Sequence, residues 1–456
     1  MLSVLIIISY FVFKILLGTF WKNHSISATR FEGQSLSLLM CVAASAGEWL
    51  GGTATTGVSE YGFMYGISGA WYTVANAIGI CFLATFFARI YRSLNTTTVP
   101  EIIGRNLGNI ARCTASVFLT LVLLVVGISQ MLAIGSLGQV LFGLNPQVSI
   151  LLLGTGVALY TVCGGMNAVA RTNILHVIVM YAGMILALIF CLIKSNGSIN
   201  SELPASYFSP SSIGKSRIIS WILSSVLGAC TAQAGLQPIL KAKDERTAVK
   251  SSFLTALLVA PFGIITALLG MNARIIFPDL NDAKNALPLL ILNMPEILSG
   301  IVLASLLAAI LSTAAPIFLS CGTLITRDIY SIVSDNNEND KKTLKFSRLA
   351  TMGCSAICIL LALIFSGTAI LDIVYFAYSL RGGLFIVVLC SLFWKKMTSP
   401  AAISAMFSMP VFSLCVIYYK KVFGNYPVPF FNENWAAIIS SALICVTVSL
   451  MTCKKN

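Results

Sequence analysis

Charge is scarce in this sequence. Of its 456 residues only 10% are Asp, Glu, Lys or Arg, against about 25% in ordinary soluble domains, and 57% are hydrophobic. A water-soluble fold is thereby excluded. Histidine is scarcer still, with only His24 and His176, too few for a histidine-based metal centre. The thirteen cysteines form no C-x-x-C pair and fall mostly within apolar stretches. They are expected as small core hydrophobes, neither a disulfide framework nor a metal site. There is no Walker loop, Rossmann glycine pattern or metal-ligand cluster, so neither a cofactor nor enzymatic chemistry is expected.

What the chain does have is long uncharged runs. Residues 113 to 170 contain no charged side chain, nor do 172 to 193, 218 to 240, 251 to 273, 297 to 326, 349 to 371, 397 to 419 and 434 to 453. A spanning helix needs about 20 mostly apolar residues, so each run can cross a bilayer and the first has room for two passes. Blocks of that length are not the short alternating segments of a transmembrane β-barrel. The expectation is an all-α polytopic membrane protein of about thirteen spans, at 2–20, 36–61, 66–88, 113–142, 147–164, 172–193, 218–240, 251–273, 295–326, 349–366, 370–394, 398–419 and 434–453.

The net charge of +13 raises the question of a nucleic-acid partner. With the N-terminus outside, 20 Lys and Arg fall in inward loops and the tail, 7 in outward loops and 2 within spans, Lys14 and Arg381. Such a positive-inside split reports topology. The expected partners are therefore the lipid bilayer and a small solute, with no nucleic acid and no obligatory protein partner. The first apolar stretch has no basic residue before it and no A-x-A-like site, so it reads as a retained span. Ser334 to Lys345, with its run DNNENDKK, reads as a solvated inward loop.

Two spans are interrupted. One reads CVAASAGEWLGGTATTG around an intramembrane Glu48, and the other SSVLGACTAQAGLQP, with Gly228, Gly235 and Pro238. Lipid offers no partner for exposed backbone groups, so such clusters in mid-span need a reason. If the first helix is set aside, these are members one and six of the next ten. That is the arrangement of a transporter built from two inverted five-helix repeats, with a midplane site at the broken helices. The domain expectation is one transporter unit over 1–456: an extra N-terminal helix and inward loop at 1–35, repeat one at 36–194, repeat two at 217–395, and two C-terminal helices at 396–456.

Specific strings then resemble the sodium/solute symporter family. They are TTTVPEIIGRNLGN at 96–109, YTVCGGMNAVARTN at 160–173, QPILKAKDERTAVK at 237–250, SLLAAILSTAAPIFLSCGTLITRDIY at 305–330 and GLFIVVLCSLFWKKMTSPAAI at 383–403. The resemblance covers about residues 30 to 405. It implies the LeuT-like inverted repeat with an added N-terminal helix, and a sodium site at positions matching Cys41, Ala44, Ala309, Ser312 and Thr313. The residues themselves support part of this. Positions three and four apart share a helix face, so Ser312 and Thr313 place hydroxyls beside the Ala309 carbonyl. Pro316, lacking an N–H, leaves the Ser312 carbonyl without its usual partner. Hydroxyls that merely bond back to their own helix are the plain alternative. The chain also departs from the family: Asn173 stands where an Asp is usual and His176 where a Gln is common. Both are therefore candidates for ion coupling or exit, and His176 opens the prospect of proton coupling.

Glu48 and Arg381 are costly inside a membrane, about 2.5–3.5 kcal/mol each at its centre on insertion scales. Either they pair with each other, or they hold the ammonium and carboxylate of a zwitterionic solute. Trp49, Gln233, Gln237, Tyr375 and Tyr378 complete the substrate-site candidates, with ordinary helix packing as the alternative for the aromatics. The functional expectation is a sodium-coupled symporter in the cell (inner) membrane, C-terminus cytoplasmic, that imports a small polar organic solute, amino-acid-like or an organic acid, by alternating access. The alternatives are a proton-coupled carrier using Glu48 or His176, a membrane solute sensor, disfavoured because the chain ends just after its last span, and a passive channel.

Overall fold

The computed structural model describes Ser9 and residues 35–194, 202–334, 340–428 and 431–453. Apart from Ser9, the expected first span at 2–20 lies outside the described residues, as do 335–339 of the solvated inward loop. The described residues are helical, and their one β-bridge joins Leu36 to Ala242. Helices α1 (Leu38–Trp49) and α2 (Val58–Tyr65) form the first core span. They are followed by α3 (Trp71–Phe82), α4 (Ala88–Ser93), α5 (Val99–Phe142), α6 (Pro146–Lys194), α7 (Lys215–Ala229), α8 (Gln233–Leu240) and α9 (Glu245–Ile276). The chain continues with α10 (Ala286–Leu292), α11 (Glu296–Ile325), α12 (Asp340–Ile364), α13 (Ile370–Phe393), α14 (Ser399–Phe423) and α15 (Glu433–Thr452).

Among the described residues, nine helical stretches are long and apolar enough to cross a membrane, ten if the bent pair α7 and α8 is taken as one span. The expected total of thirteen includes 2–20 and is not fixed by this count. Some stretches hold more than one pass. Between α2 and α3 the chain turns back at Gly66, where φ is 70°, a value open to glycine without strain. Helix α6 would be about 73 Å long if straight, at 1.5 Å per residue, more than twice the roughly 30 Å hydrocarbon core. It is not straight: the Tyr160 hydroxyl lies 3.1 Å from that of Thr172, twelve residues on, where a straight helix would separate them by about 18 Å. The chain doubles back there, as the separate expected spans 147–164 and 172–193 require.

Local signals fix the ends. Thr98 caps α5 by accepting from the Glu101 amide at 3.2 Å, with Pro100 in the first turn, and Gly108 (φ 82°) breaks the helix between its short first part and its span. Asp244 caps α9 through the Thr247 amide at 2.7 Å. Helix α11 is the centre of the molecule: 94% of its most apolar stretch is buried, against 39% for α12 and α15, so those two turn much of their surface to lipid. Leu36 exchanges backbone hydrogen bonds with Lys241 and Lys243 at 2.8 and 3.0 Å. That bridge ties the start of the first broken span to the end of the second.

Candidate functional site

The first core span breaks where the glycines predicted. The last α-helical bond of α1 runs from the Leu50 amide to Ala46 O, and Leu50 itself (φ −99°, ψ 29°) leaves the helix. The chain resumes as a π-helical turn over Thr53–Gly57. Carbonyls at such a helix end have no intrahelical donor, and here α11 meets them. The Thr313 hydroxyl lies 2.7 Å from Gly47 O and 3.0 Å from Glu48 O. The Ser312 hydroxyl lies 2.9 Å from Gly47 O and 2.8 Å from Ala309 O. All of these side chains are buried, so the result is a dry cluster of neutral oxygens at the negative end of α1, which suits a hard monovalent cation.

Cys41 and Ala44 lie within the unbroken part of α1, whereas the carbonyls that meet Ser312 and Thr313 are those of Gly47 and Glu48. Ala44 shares the Gly47 face three residues back. The Cys41 thiol is 3.4 Å from Pro238 O on α8. The Pro316 argument has a visible outcome: the Ser312 carbonyl accepts from Asn173 Nδ2 at 3.3 Å. Asn173 is buried and wedged between α1 and α11, its amide 2.6 Å from where a Cβ at Gly47 would stand. His176 is buried one turn further along the same helix.

The second core span breaks over Cys230–Ala232, its halves bent by 40°. Its two ends face the two membrane charges. At the C-terminal end of α7, Arg381 packs against Gly228, whose absent Cβ would stand 3.4 Å from Arg381 Cβ. In the first turn of α8, Glu48 Oε2 and Trp49 Nε1 stand 2.9 and 3.0 Å from the Cβ position of Gly235. The Glu48 carboxylate thus stands at the positive end of α8, which offsets part of the cost of burying it, while Arg381 packs beside the C-terminal end of α7. Among the described residues the two charges make no ion pair with each other. Glu48 Oε2 and Arg381 Nε and Nη2 are buried without a hydrogen-bond partner.

Aromatic rings pack around these charges. Trp49 meets Tyr378 edge-on at 6.3 Å, and the Arg381 guanidinium lies 5.0 Å over the Tyr378 ring. Tyr375 stacks on Trp221 at 4.2 Å. Tyr72 on α3 joins them, its hydroxyl 3.1 Å from that of Tyr378. The two glutamines take other places. Gln233 is occupied with backbone, accepting from the Val99 amide at 2.8 Å and donating to Thr97 O at 3.3 Å. Gln237 accepts from the Ser320 hydroxyl at 2.9 Å.

Buried polar contacts lie on two sides of the site. On the Thr97–Glu101 side, the buried Asp328 accepts from Arg112 Nε at 2.7 Å and from the Thr98 hydroxyl at 3.0 Å. On the other, Glu60 Oε2 accepts from the first amide of α13, Ile370, at 3.2 Å, and the Tyr61 hydroxyl donates to Asp372 at 2.7 Å. Tyr72 escaped the sequence reading because nothing local marks it. The α5 pair Ser129 and Gln130 left a fainter trace, adjacent polar residues inside the 58-residue uncharged run.

The family model described as the sodium:solute symporter family matches residues 31–408. Among solved structures, a Na+-coupled sialic acid symporter in a substrate-bound outward-open state superposes with a TM-score of 0.80 at 16% identity, covering 99% of this chain and 98% of that one. A nucleobase-cation-symport-1 family transporter, closed around bromovinylhydantoin, gives 0.60 at 12% identity over 94% and 96%. MhsT in complex with L-phenylalanine gives 0.59 at 14% over 92% and 98%. At these identities the likeness is one of fold.

Proposed function

This chain belongs to the sodium:solute symporter family, and we propose that it imports a small zwitterionic solute, amino-acid-like in charge, in step with sodium by alternating access. The observation that supports the solute class is the pair of opposite charges at the break in the second core span, both buried and both left with unpartnered atoms. An ionised group in a dry site needs partners. A solute ammonium at Glu48 and a carboxylate at Arg381 supply them, while Trp49, Tyr72, Tyr375 and Tyr378 bound the space between. Among the described residues the two side chains form no salt bridge with each other, which disfavours an internal ion pair.

Sodium binds, in this reading, at the junction of α1 and α11, through the Ser312 and Thr313 hydroxyls and the neighbouring carbonyls. Glu48 belongs to both sites, its carbonyl facing α11 and its side chain facing the solute. Filling one site therefore orders the backbone of the other, and the linkage is reciprocal. The contacts at Asp328 and at Ile370 are the closures that must open in turn. The charge distribution favours a cell-membrane protein with its N-terminus outside.

The test is uptake into proteoliposomes under a sodium gradient, with competition by zwitterions and by analogues bearing only the amine or only the acid. Leaving one buried charge unpaired costs about 2–5 kcal/mol, so a single-charge analogue is expected to compete at least about 30-fold less well. Glu48→Gln is expected to abolish the preference for the amine, and Arg381→Leu the preference for the acid. Equal competition by singly charged analogues, or undiminished uptake by both variants, overturns the zwitterion reading.

A further inference from the structure

Gln130 on α5 is fully buried and belongs to neither binding site. Its carboxamide is spent on the break in the first core span. Oε1 accepts from the Gly52 amide at 2.8 Å, and Nε2 donates to the Thr53 hydroxyl at 2.9 Å and to that of Ser129 at 3.1 Å. The Thr53 and Ser129 hydroxyls are in turn 3.0 Å apart.

The choice of Gly52 matters because of helix arithmetic. In a continuous α-helix each amide donates to the carbonyl four residues back, so the natural partner of the Gly52 amide is Glu48 O. Here that carbonyl accepts from Thr313 at 3.0 Å instead. Gln130 and Thr313 therefore hold the two halves of one severed helical bond, the donor on α5 and the acceptor on α11. Trp49 and Leu50 between them are buried, so water does not replace either partner.

We infer that Gln130 is a positioning residue for the sodium site: by engaging the Gly52 amide it keeps the first core span broken and the Glu48 carbonyl turned toward Ser312 and Thr313. The inference rests on the sodium site proposed above. Without Gln130 the acceptor that a continuous helix offers the Gly52 amide is Glu48 O, and closing that bond withdraws a carbonyl from the cation. Ser129 shares the polar cluster without touching the severed bond, so it separates this role from general packing.

The experiment uses the full chain purified in detergent, with thermal stability measured against NaCl at ionic strength held constant with KCl. Gln130→Leu is expected to raise the half-saturating sodium concentration at least tenfold. Gln130→Glu keeps an acceptor for Gly52 and stays within about threefold of the parent or binds more tightly, and Ser129→Ala stays within about threefold. If Gln130→Leu does not fold, Gln130→Asn, too short to reach Gly52, is read in the same way. An unchanged sodium midpoint in the Leu or Asn variant, or an equal rise in Ser129→Ala, overturns the inference. Hydrogen–deuterium exchange over residues 47–55 in KCl alone provides a sodium-free readout. Slower exchange in Gln130→Leu is the signature of a helix that has closed, and unchanged exchange refutes the clamp. A parent protein with no sodium response refutes the symport reading, while the exchange result still decides the role of Gln130.

Discussion

Ser312→Ala is the cleanest single perturbation of the sodium site, because the geometry separates its effect on the ion from its effect on the fold. The Ser312 hydroxyl touches two carbonyls, Gly47 O and Ala309 O. Neither is orphaned by its removal: Gly47 O keeps Thr313 at 2.7 Å, and Ala309 O keeps its regular helical partner, the Thr313 amide. The sodium-free protein therefore loses no more than a net hydrogen bond, about 0.5–1.5 kcal/mol, part of it returned by the higher helix propensity of alanine. The sodium-bound state loses a neutral oxygen ligand. By analogy with hydrogen bonds to charged groups, that is worth about 1.5–3 kcal/mol, or a rise of roughly 10- to 150-fold in the sodium dissociation constant. Thr313→Val is the informative contrast, since it leaves Glu48 O without a donor and so destabilises the sodium-free state as well. The assay is a thermal-stability titration with NaCl against KCl. Sodium stabilises by RT ln(1 + [Na+]/Kd), so a Ser312→Ala curve displaced to high sodium over an unchanged potassium baseline is the expected result. A baseline that falls as far as the sodium plateau, or a midpoint that does not move, refutes the argument.

Other consequences can be checked directly. Arg112→Leu leaves Asp328, fully buried, without its charged partner, and removing one member of a buried ion pair typically costs 3–5 kcal/mol. Because Arg112 is itself partly exposed, the lower end of that range is expected, together with faster maleimide labelling of Cys113, which now packs against the Asp328 carbonyl. Labelling at the parent rate argues that this contact does not close the Thr97–Glu101 side. Gly62→Ala places a methyl well inside contact distance of the Ala267 backbone, so α2 must move off α9. The expected cost is about 1–3 kcal/mol, read as a lower unfolding midpoint, and an unchanged midpoint contradicts the close approach. Asp244, outside the membrane, has its carboxyl held below the usual range by the Thr247 amide. A depressed folded value means that its contribution is present above the unfolded value near 3.9 and is lost as pH falls through the folded one. The stability gap between the parent and Asp244→Ala should therefore close at strongly acid pH, and a gap independent of pH excludes the carboxylate cap as its source.

Much of this protein was written locally. Uncharged runs of bilayer length fixed the class, and the glycine clusters at Gly47–Gly57 and Gly228–Gly235 marked both breaks, because lipid cannot solvate an open backbone. Ser312, Thr313 and Pro316 declared a polar face on α11 through helical spacing alone, and the string matches at 96–109 and 305–330 identified the family. Which carbonyls meet that face was a tertiary matter. The register between α1 and α11 depends on how two distant helices slide past each other, and it brings Gly47 and Glu48, rather than Cys41 and Ala44, against the hydroxyls. The same reason hid Tyr72 and Gln130, which act across helix interfaces 306 and 78 residues away in sequence, and it sent Gln233 to the Thr97–Val99 backbone. The sequence by itself determined that two charges would be buried in the membrane. Only the packing of α7, α8 and α13 decided that Arg381 faces one end of the broken helix and Glu48 the other, because direction in space is a property of helices packed together and not of the order of residues along one.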